Sequence, residues 1–225
     1  MESFVRRLKY YGLGFGIGLI AVFLIFGNRA CNWGPKQRIK TSILERVVVI
    51  NELNDSIKNS LQLSDSEVMG LIEKMDIDFS ESKKDNPLKV YKFTSDELDF
   101  HVTLPENSYL AEIVFSPETS SSISNSNNGF GRILHFPKEK DLMYIPEDSP
   151  SFNILKEINC SDANDLFNII MKQGQIDFNR SKLNDPWDLD QVIFCRDVNN
   201  KNVSISSYWY KEKIEVSSIQ LSDNE

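Results

Sequence analysis

Two segments of the chain repeat each other, and this repeat constrains the fold more than any other feature of the sequence. Residues 77–87 read IDFSESKKDNP, and residues 176–186 read IDFNRSKLNDP, aligned without a gap. The identical pairs are Ile77/Ile176, Asp78/Asp177, Phe79/Phe178, Ser82/Ser181, Lys83/Lys182 and Pro87/Pro186. A gapless match of this kind indicates an internal duplication, so we expect the two halves of the chain to fold alike.

The residues around each copy predict the same order of elements. Ser64-Asp65 and Ser161-Asp162 each precede apolar residues at helical spacing, which is typical of a capped amphipathic helix. Short β-branched and aromatic runs follow, separated by turn residues, and predict about four strands in each copy. We predict an α+β fold in which a transmembrane helix precedes two tandem repeats, each a helix packed on an antiparallel sheet. The predicted bounds are 43–115 for repeat one, 116–131 for a Ser/Asn-rich linker or long loop, and 132–225 for repeat two.

The N-terminal segment is the second informative feature. No charged residue occurs from position 10 to position 26, and Arg6, Arg7 and Lys9 precede this stretch. Such a pattern favours an uncleaved transmembrane helix, with the lipid bilayer as its partner. The predicted segments are a basic tail at 1–9, a transmembrane anchor at 10–27 and a basic juxtamembrane segment at 28–42.

Two other processing routes compete with an uncleaved anchor. One is a cleaved signal peptide, and the other is a lipoprotein attached through Cys31. Asn28 and Arg29 fit the flanking pattern of neither route. We predict a single-pass protein of the bacterial cytoplasmic membrane, with the C-terminal domain on the outer side.

Glycines alternate through the first half of the predicted anchor. Their spacing forms two small-xxx-small pairs, which allow two membrane helices to approach closely and to self-associate. The alternative is that glycine is simply frequent in membrane spans. The residues are Gly12, Gly14, Gly16 and Gly18.

Residues from the N-terminus and from the repeat together suggest a relationship. The N-terminal set is Gly16, Gly18, Cys31, Trp33, Pro35 and Arg38, and the repeat set is Asp78, Phe79, Ser82, Asp177, Phe178 and Ser181. In these residues the chain resembles an uncharacterised family of small, single-span, membrane-anchored proteins of Bacteroidetes-type bacteria. The resemblance implies an envelope protein of unknown activity, with Cys31, Trp33 and Arg38 beside the membrane. It implies no catalytic residue.

The charge of the chain argues against one class of partner. The chain has 25 Lys and Arg against 33 Asp and Glu, which gives a net charge of −8. Only one of the acidic residues, Glu2, lies in the first forty positions, so the remainder is more acidic still. A negative field disfavours binding to nucleic-acid phosphates, and we expect no nucleic-acid partner.

The candidate chemistry rests mainly on the repeated motif. Asp78 and Asp177 could meet as an acid and base pair, although an Asp that accepts turn amides is the commoner role. Ser82-Lys83 and Ser181-Lys182 evoke hydrolytic Ser/Lys dyads, although adjacent residues in a strand point apart. A calcium site at Asp185, Asp188 and Asp190 and a zinc site at His101 or His135 both lack the usual spacing. We therefore assign no catalytic residue, no metal ligand and no cofactor.

Two further groups of residues in the second half have alternative roles. Cys160 and Cys195 either form a disulfide or are two free buried thiols. The first half has Leu63 and Thr94 at the matching positions, so the fold does not require a disulfide there. Tyr208, Trp209 and Tyr210 are either core residues or a partly exposed interface.

Three classes of function follow from these expectations. The first is a protein-interaction or structural module of the cell envelope, favoured by the duplication, the acidic charge and the absence of an evident active site. The second is a membrane-tethered hydrolase built on the repeated motif. The third is an inhibitor or immunity-type protein, and this class rests on an analogy of fold alone.

Overall fold

The computed structural model describes residues 2–26, 34–85, 87–106, 108–137, 143–147, 149–182, 190–199, 201–210 and 213–223. The chain divides into two units, Met1–Thr41 and Ser42–Glu225, and each is described by itself.

The first unit contains helix α1 (Glu2–Phe26) and the beginning of helix α2 (Pro35–Leu44). Across the described residues, no helix combines the length and the apolar character that crossing a membrane requires. α1 takes in Arg6, Arg7 and Lys9, and its uncharged run corresponds to about 26 Å of helix against about 30 Å of hydrocarbon core. The transmembrane anchor at 10–27 and the single-pass membrane localisation are therefore wrong.

The expected position of three residues beside the membrane depends on the anchor, and that prediction is wrong. Cys31 and Trp33 lie outside the described residues, and Arg38 is exposed on α2. A Cβ atom added at any of the alternating glycines of α1 would meet nothing within 4 Å. Self-association through Gly12, Gly14, Gly16 and Gly18 stays a prediction.

The second unit is built on one mixed sheet of eleven strands within the described part of the chain. β1 pairs in parallel with β5, and β7 pairs in parallel with β11, whereas the other pairs are antiparallel. The prediction of two antiparallel sheets is therefore wrong. The strands are β1 (Val47–Asn51), β2 (Asp76–Lys83), β3 (Leu88–Thr94), β4 (Asp99–Pro105), β5 (Leu110–Val114), β6 (Phe130–His135), β7 (Met143–Tyr144), β8 (Gly174–Asp177), β9 (Asp190–Val198), β10 (Lys201–Trp209) and β11 (Ile214–Asp223).

The strand order repeats inside this sheet. The first half has the order β2-β3-β4-β5-β1, the second half has the order β8-β9-β10-β11-β7, and β6 lies between them. In each half the chain runs from one strand through two helices into four strands. The helices are α3 (Glu52–Ser60) and α4 (Asp65–Lys74) in the first half, and α5 (Pro150–Glu157) and α6 (Ala163–Gln173) in the second.

Local capping interactions explain why the sequence alone predicts α4 and α6. The Glu67 N–H donates to the Ser64 hydroxyl, and the Glu67 carboxylate accepts the Ser64 N–H, which is a capping box. Asp162 caps α6 by accepting two backbone N–H groups of its first turn. α3 has only two large apolar residues, Leu53 and Ile57, so it lacks the periodicity that predicts a helix.

The two helix pairs lie on opposite faces of the sheet. Arg132 and Ile133 are consecutive in β6, so their side chains point to opposite faces. Arg132 bonds to Asp55 of α3 and Asp65 of α4, whereas Ile133 belongs to the buried cluster that contains Ile170 of α6. β6 therefore faces both pairs of helices, with the charged Arg132 on one side and the buried Ile133 on the other.

The Ser/Asn-rich segment predicted at 116–131 packs on the first half of the sheet. Ile123, only 6% exposed, belongs to a small buried cluster with Leu88 and Val90. The backbone N–H of Ser126 donates to the carboxylate of Glu112 at 2.8 Å, and burial raises the pKa of that carboxyl. A single isoleucine and one buried carboxylate thus anchor a segment whose composition alone predicts a linker.

Candidate functional site: the His101 cleft and the tyrosine platform

The repeated motif forms the same turn in both halves. Asp78 Oδ1 accepts the backbone N–H groups of Ser80 and Glu81, at 2.8 and 3.3 Å. Asp177 Oδ1 accepts the equivalent two N–H groups, at 3.0 and 3.3 Å. Both carboxylates therefore stabilise a turn in which an Asp side chain replaces a backbone acceptor. Hydrogen bonds to Ser80 hold the pKa of Asp78 below its ordinary value.

The serines of the motif bond to the backbone of the next strand along the chain. Ser82 Oγ accepts the backbone N–H of Lys92 at 3.0 Å, and Ser181 Oγ accepts that of Val192 at 2.9 Å. The identical bonds show that Lys92 and Val192 occupy equivalent positions in the two halves.

The remaining residues of the motif behave differently in the two copies. Phe79 is half-buried, with the Lys84 ammonium 5.2 Å from the ring centroid, whereas Phe178 is buried against Gly131. Lys83 lies in β2 opposite Val90, and Lys182 is exposed. The motif is thus a shared turn with unequal surroundings.

The structure does not bring the two copies of the motif together. Asp78 lies in β2 at one edge of the sheet, and Asp177 lies in β8, six strand positions away. At about 4.8 Å per strand this separation is roughly 29 Å along the sheet. The two carboxylates and the two Ser-Lys pairs therefore occupy separate turns, and they form no common site.

A metal centre is not formed by the described part of the chain. It contains no group of three or more His, Cys, Asp or Glu side chains placed to hold a metal ion. Asp185 and Asp188 lie outside the described residues, as does the side chain of Asp190.

Cys160 and Cys195 are both buried and both free. Burial raises the pKa of the Cys160 thiol to about 11 and that of the Cys195 thiol to about 12. The two cysteines are therefore free thiols and do not form a disulfide. With a raised pKa, neither thiol is activated as a nucleophile.

Three tyrosines form an exposed platform at the β7 edge of the sheet. Tyr208 is the register partner of Glu215, and Glu215 is the register partner of Tyr144, so these side chains share one face. Tyr144, Tyr208 and Tyr210 are 51%, 39% and 41% exposed. We call Tyr144, Tyr208, Tyr210, Lys213 and Glu215 the tyrosine platform.

Lys213 organises this platform. Its ammonium lies 5.8 Å from the centroid of the Tyr144 ring and 5.4 Å from that of Tyr210, within cation–π range. It also bonds to Glu215 Oε2 at 2.7 Å, which raises the pKa of Lys213. The rings are thus held around one cation whose charge is already balanced.

Trp209 does not belong to the exposed surface. It is 2% exposed, and its indole N–H donates to Ser207 Oγ at 2.7 Å. Alternation along β10 explains this difference, since Trp209 points to the face opposite its two neighbours. Of the three aromatics considered as an interface, Tyr208 and Tyr210 are exposed and Trp209 is in the core.

A second candidate site is an open cleft of about 540 Å³ in the first half. This volume is within the range of small-molecule sites. The apolar part of the lining comes from α3, from the turn before β4 and from the end of β5. We call it the His101 cleft, and its lining residues are Ile57, Leu61, Lys92, Leu98, Asp99, His101, Phe115, Ser116, Pro117 and Glu118.

His101 is the unusual residue of this cleft. It is 2% exposed, and neither ring nitrogen has a hydrogen-bond partner among the described residues. Burial, and after it the charge of Lys92, lowers the pKa of His101, so the ring is neutral near pH 7. A neutral imidazole offers one donor and one acceptor, and burying both without partners costs about 1–3 kcal/mol each.

Lys92 stands beside His101 but is already paired. The two residues are register partners in β3 and β4. The Lys92 ammonium bonds to Glu81 at 2.5 Å and lies 3.2 Å from Asp99, and the bond to Glu81 raises its pKa. The charged groups at this wall of the cleft therefore satisfy one another, whereas His101 is satisfied by none of them.

The second half shows that the fold does not require this arrangement. Lys92 is equivalent to Val192, and the register partner of Val192 is Ser206. Ser206 is thus the counterpart of His101. The lysine and histidine pair is specific to the first half.

Sequence reasoning missed the principal members of both sites. The sequence predicts that His101 lies in a strand and belongs to no site. The difference between His101 and its counterpart is visible only when the strand registers of the two halves are compared. Tyr144 and Lys213 join Tyr208 and Tyr210 through strand pairing that is not visible in the sequence.

A charged cluster elsewhere has a structural role. Arg132 bonds to Asp55 at 2.7 Å and to Asp65 at 2.5 Å, and Lys58 bonds to Asp65 at 2.5 Å. The Arg132 bond lowers the pKa of Asp65 to about 2, and the same carboxylates raise the pKa of Arg132. The cluster ties α3 and α4 to β6.

Comparisons with known proteins do not test the family resemblance. The resemblance to a family of Bacteroidetes-type bacteria stays a prediction, except for its membrane span. No protein-family model, no curated protein and no solved structure matches the chain.

Proposed function

We propose that the protein is a binding module whose protein partner docks on the tyrosine platform. The single observation that carries this proposal is the presence of three exposed tyrosines on one face, where Tyr144 and Tyr210 lie beside Lys213 and Tyr208 lies opposite Glu215. Tyrosine is enriched at protein interfaces because its ring adds a large contact area and its hydroxyl remains able to hydrogen-bond.

The charge of the chain narrows the class of partner. Lys213 is balanced by Glu215, so the platform itself adds no net charge, and the net charge of the chain is −8. Such a field attracts a partner with a basic surface and raises its rate of association. A partner with basic residues around an apolar centre fits both observations.

The other classes of function have less support. A hydrolase built on the repeated motif would need Asp78 and Asp177, or the Ser-Lys pairs, in one site, and these residues lie six strand positions apart. An inhibitor is one form of binding module, and the identity of the partner would distinguish it.

The test is affinity purification of the tagged full-length protein from its native cells. Three forms are compared: the wild type, the variant Tyr144→Ser/Tyr208→Ser/Tyr210→Ser, and the control Leu53→Ser. Leu53 is 72% exposed on α3 and lies outside the platform. Thermal unfolding of each form checks that the fold is kept.

We expect a near-stoichiometric partner that is retained by the wild type and by the Leu53 control and is lost from the triple variant. Retention of the same partner by the folded triple variant would contradict the platform. A preparation of the wild type without any partner would contradict the binding module itself.

A further inference from the structure

The His101 cleft combines an apolar wall with one unsatisfied polar side chain. Ile57, Leu98, Phe115 and Pro117 supply apolar surface in a space of about 540 Å³. His101 lines the same space, with both nitrogens buried and without partners among the described residues. A fold that leaves a buried imidazole unpaired loses stability, and such groups therefore call for an explanation.

The second half of the sheet argues against strand pairing as that explanation. The equivalent pair there is Val192 and Ser206, and it supports the same strand pairing as Lys92 and His101. A valine and a serine thus satisfy the fold at these positions. Strand pairing alone therefore does not explain the histidine of the first half.

The charges around the cleft determine what kind of ligand fits. Lys92 is bound by Glu81 and Asp99, so no free cation is available to hold an anion. Glu118 adds an acidic residue at the exposed rim, which repels an anion further. Among the described lining residues, His101 is the buried polar side chain without a partner, and it offers one donor and one acceptor.

We propose that the His101 cleft binds a small neutral molecule that has an apolar ring and one hydroxyl or amide group. The ring packs on Ile57, Leu98 and Phe115, and the polar group pairs with the imidazole of His101. Both nitrogens are buried in the free protein, so pairing with the ligand requires the imidazole to turn towards the cleft. This site is independent of the tyrosine platform, which lies at the other end of the sheet.

The chain offers a direct observable for this proposal, because it contains only two histidines. Imidazole nitrogen NMR spectra of the full chain therefore report His101 and one reference ring, His135. The His135 Nε2 atom lies 3.1 Å from the Leu44 carbonyl oxygen. The probes are 4-methylphenol, toluene, 4-methylbenzoate and 4-methylbenzylamine, which share a ring and differ in the polar group.

We expect 4-methylphenol to bind saturably, to shift the His101 nitrogens and to leave those of His135 unchanged. Its affinity is expected to exceed that of toluene by about tenfold, the factor that one net hydrogen bond supplies. The variants His101→Phe and His101→Leu should bind the phenol no better than toluene, and the control His135→Gln should bind it as the wild type does.

Three results would overturn the proposal. They are no saturable binding of 4-methylphenol up to its solubility, equal affinity for the phenol in the folded His101 variants, and tighter binding of the benzoate or the benzylamine than of the phenol. None of them depends on the tyrosine platform, so the two proposals succeed or fail separately.

Discussion

Ser82 Oγ accepts the backbone N–H of Lys92 over 3.0 Å, and the second half repeats the bond between Ser181 and Val192 at 2.9 Å. The repeated motif therefore ties the turn after one strand to the backbone of the next strand along the chain. Asp78 and Asp177 close the turn, and the serines hold the following strand in register.

The first prediction concerns these serines. Ser82→Ala and Ser181→Ala should each lower the free energy of unfolding by about 1 kcal/mol, because each leaves one backbone N–H without its acceptor. The sites are far apart, so the double variant should show the sum of the two losses. Denaturant unfolding measures this, with the exposed Ser121→Ala as the control. A loss confined to one half would mean that the two bonds are not equivalent.

The second prediction concerns His101 and pH. His101→Phe should raise the free energy of unfolding at pH 7.5 by about 2–6 kcal/mol, because it removes two buried groups without partners at about 1–3 kcal/mol each. The pKa of His101 in the folded chain lies below its ordinary value, through burial and the nearby Lys92 charge, with Asp99 and Glu81 opposing. The unfolded chain therefore binds the proton first, and wild-type stability falls as the pH drops below about 6.5.

This fall should be smaller in His101→Phe than in the wild type or in His135→Gln between pH 7.5 and pH 5.5. Denaturant midpoints at several pH values give the comparison. Parallel pH profiles for the wild type and the His101 variant would show that the imidazole is not desolvated.

The third prediction concerns the Arg132 cluster. The bond to Arg132 lowers the pKa of Asp65 to about 2. A depressed carboxyl pKa stabilises the fold above the unfolded pKa of about 4, and this stabilisation is lost as the pH falls towards 2. Asp65→Asn should therefore destabilise the protein at pH 7, by about 1 kcal/mol for a partly exposed pair.

The difference between Asp65→Asn and the wild type should shrink as the pH falls towards 2. Unfolding at pH 7, 4 and 2.5 measures it, and Glu97→Gln, an exposed carboxyl in the turn before β4, serves as the control. A difference that does not depend on pH would indicate that Asp65 acts through packing alone.

The fourth prediction concerns the two thiols. With the pKa of Cys160 at about 11 and that of Cys195 at about 12, few thiolates exist at pH 8. In a Cys31→Ser background, the folded protein should react with a disulfide reagent at least about 100-fold more slowly than the unfolded protein. Rapid reaction of Cys195 in the folded protein would contradict its burial.

The fifth prediction separates the aromatic residues at the end of β10. Trp209→Ala should cost about 3–5 kcal/mol, because the indole is buried and its N–H is bonded. Tyr210→Ser should change the stability by only about 0.5 kcal/mol, because the ring is exposed. Similar costs for both substitutions would mean that the tyrosine ring has a structural role.

Local signals predicted the elements that depend on neighbouring residues. The Ser64 capping box marks α4, the Asp162 cap marks α6, and the motif at Asp78 and Asp177 marks the same turn in both halves. α3 escaped prediction because it has too few apolar residues to show a period. The membrane anchor was a wrong prediction, because the uncharged run of α1 is short and rich in glycine.

Pairing between distant strands could not be predicted. β1 takes β5 as a parallel neighbour and β6 as an antiparallel one, and nothing in the residues of 47–51 specifies either choice. The same limit applies to both candidate sites. Strand pairing places Lys92 opposite His101, and it places Glu215 between Tyr144 and Tyr208. These registers exist only once the sheet is formed.

The position of β6 has a consequence for how the protein is made. As the chain leaves the ribosome, the first half can assemble its five strands before β6 has been synthesised, and β1 then forms an open edge. Val47, Val48, Val49 and Ile50, all buried in the finished sheet, make that edge a β-prone, uncharged strand of the kind on which other chains can pair. Pairing with β6 covers this edge, so the strand between the halves completes the first half as well as joining it to the second.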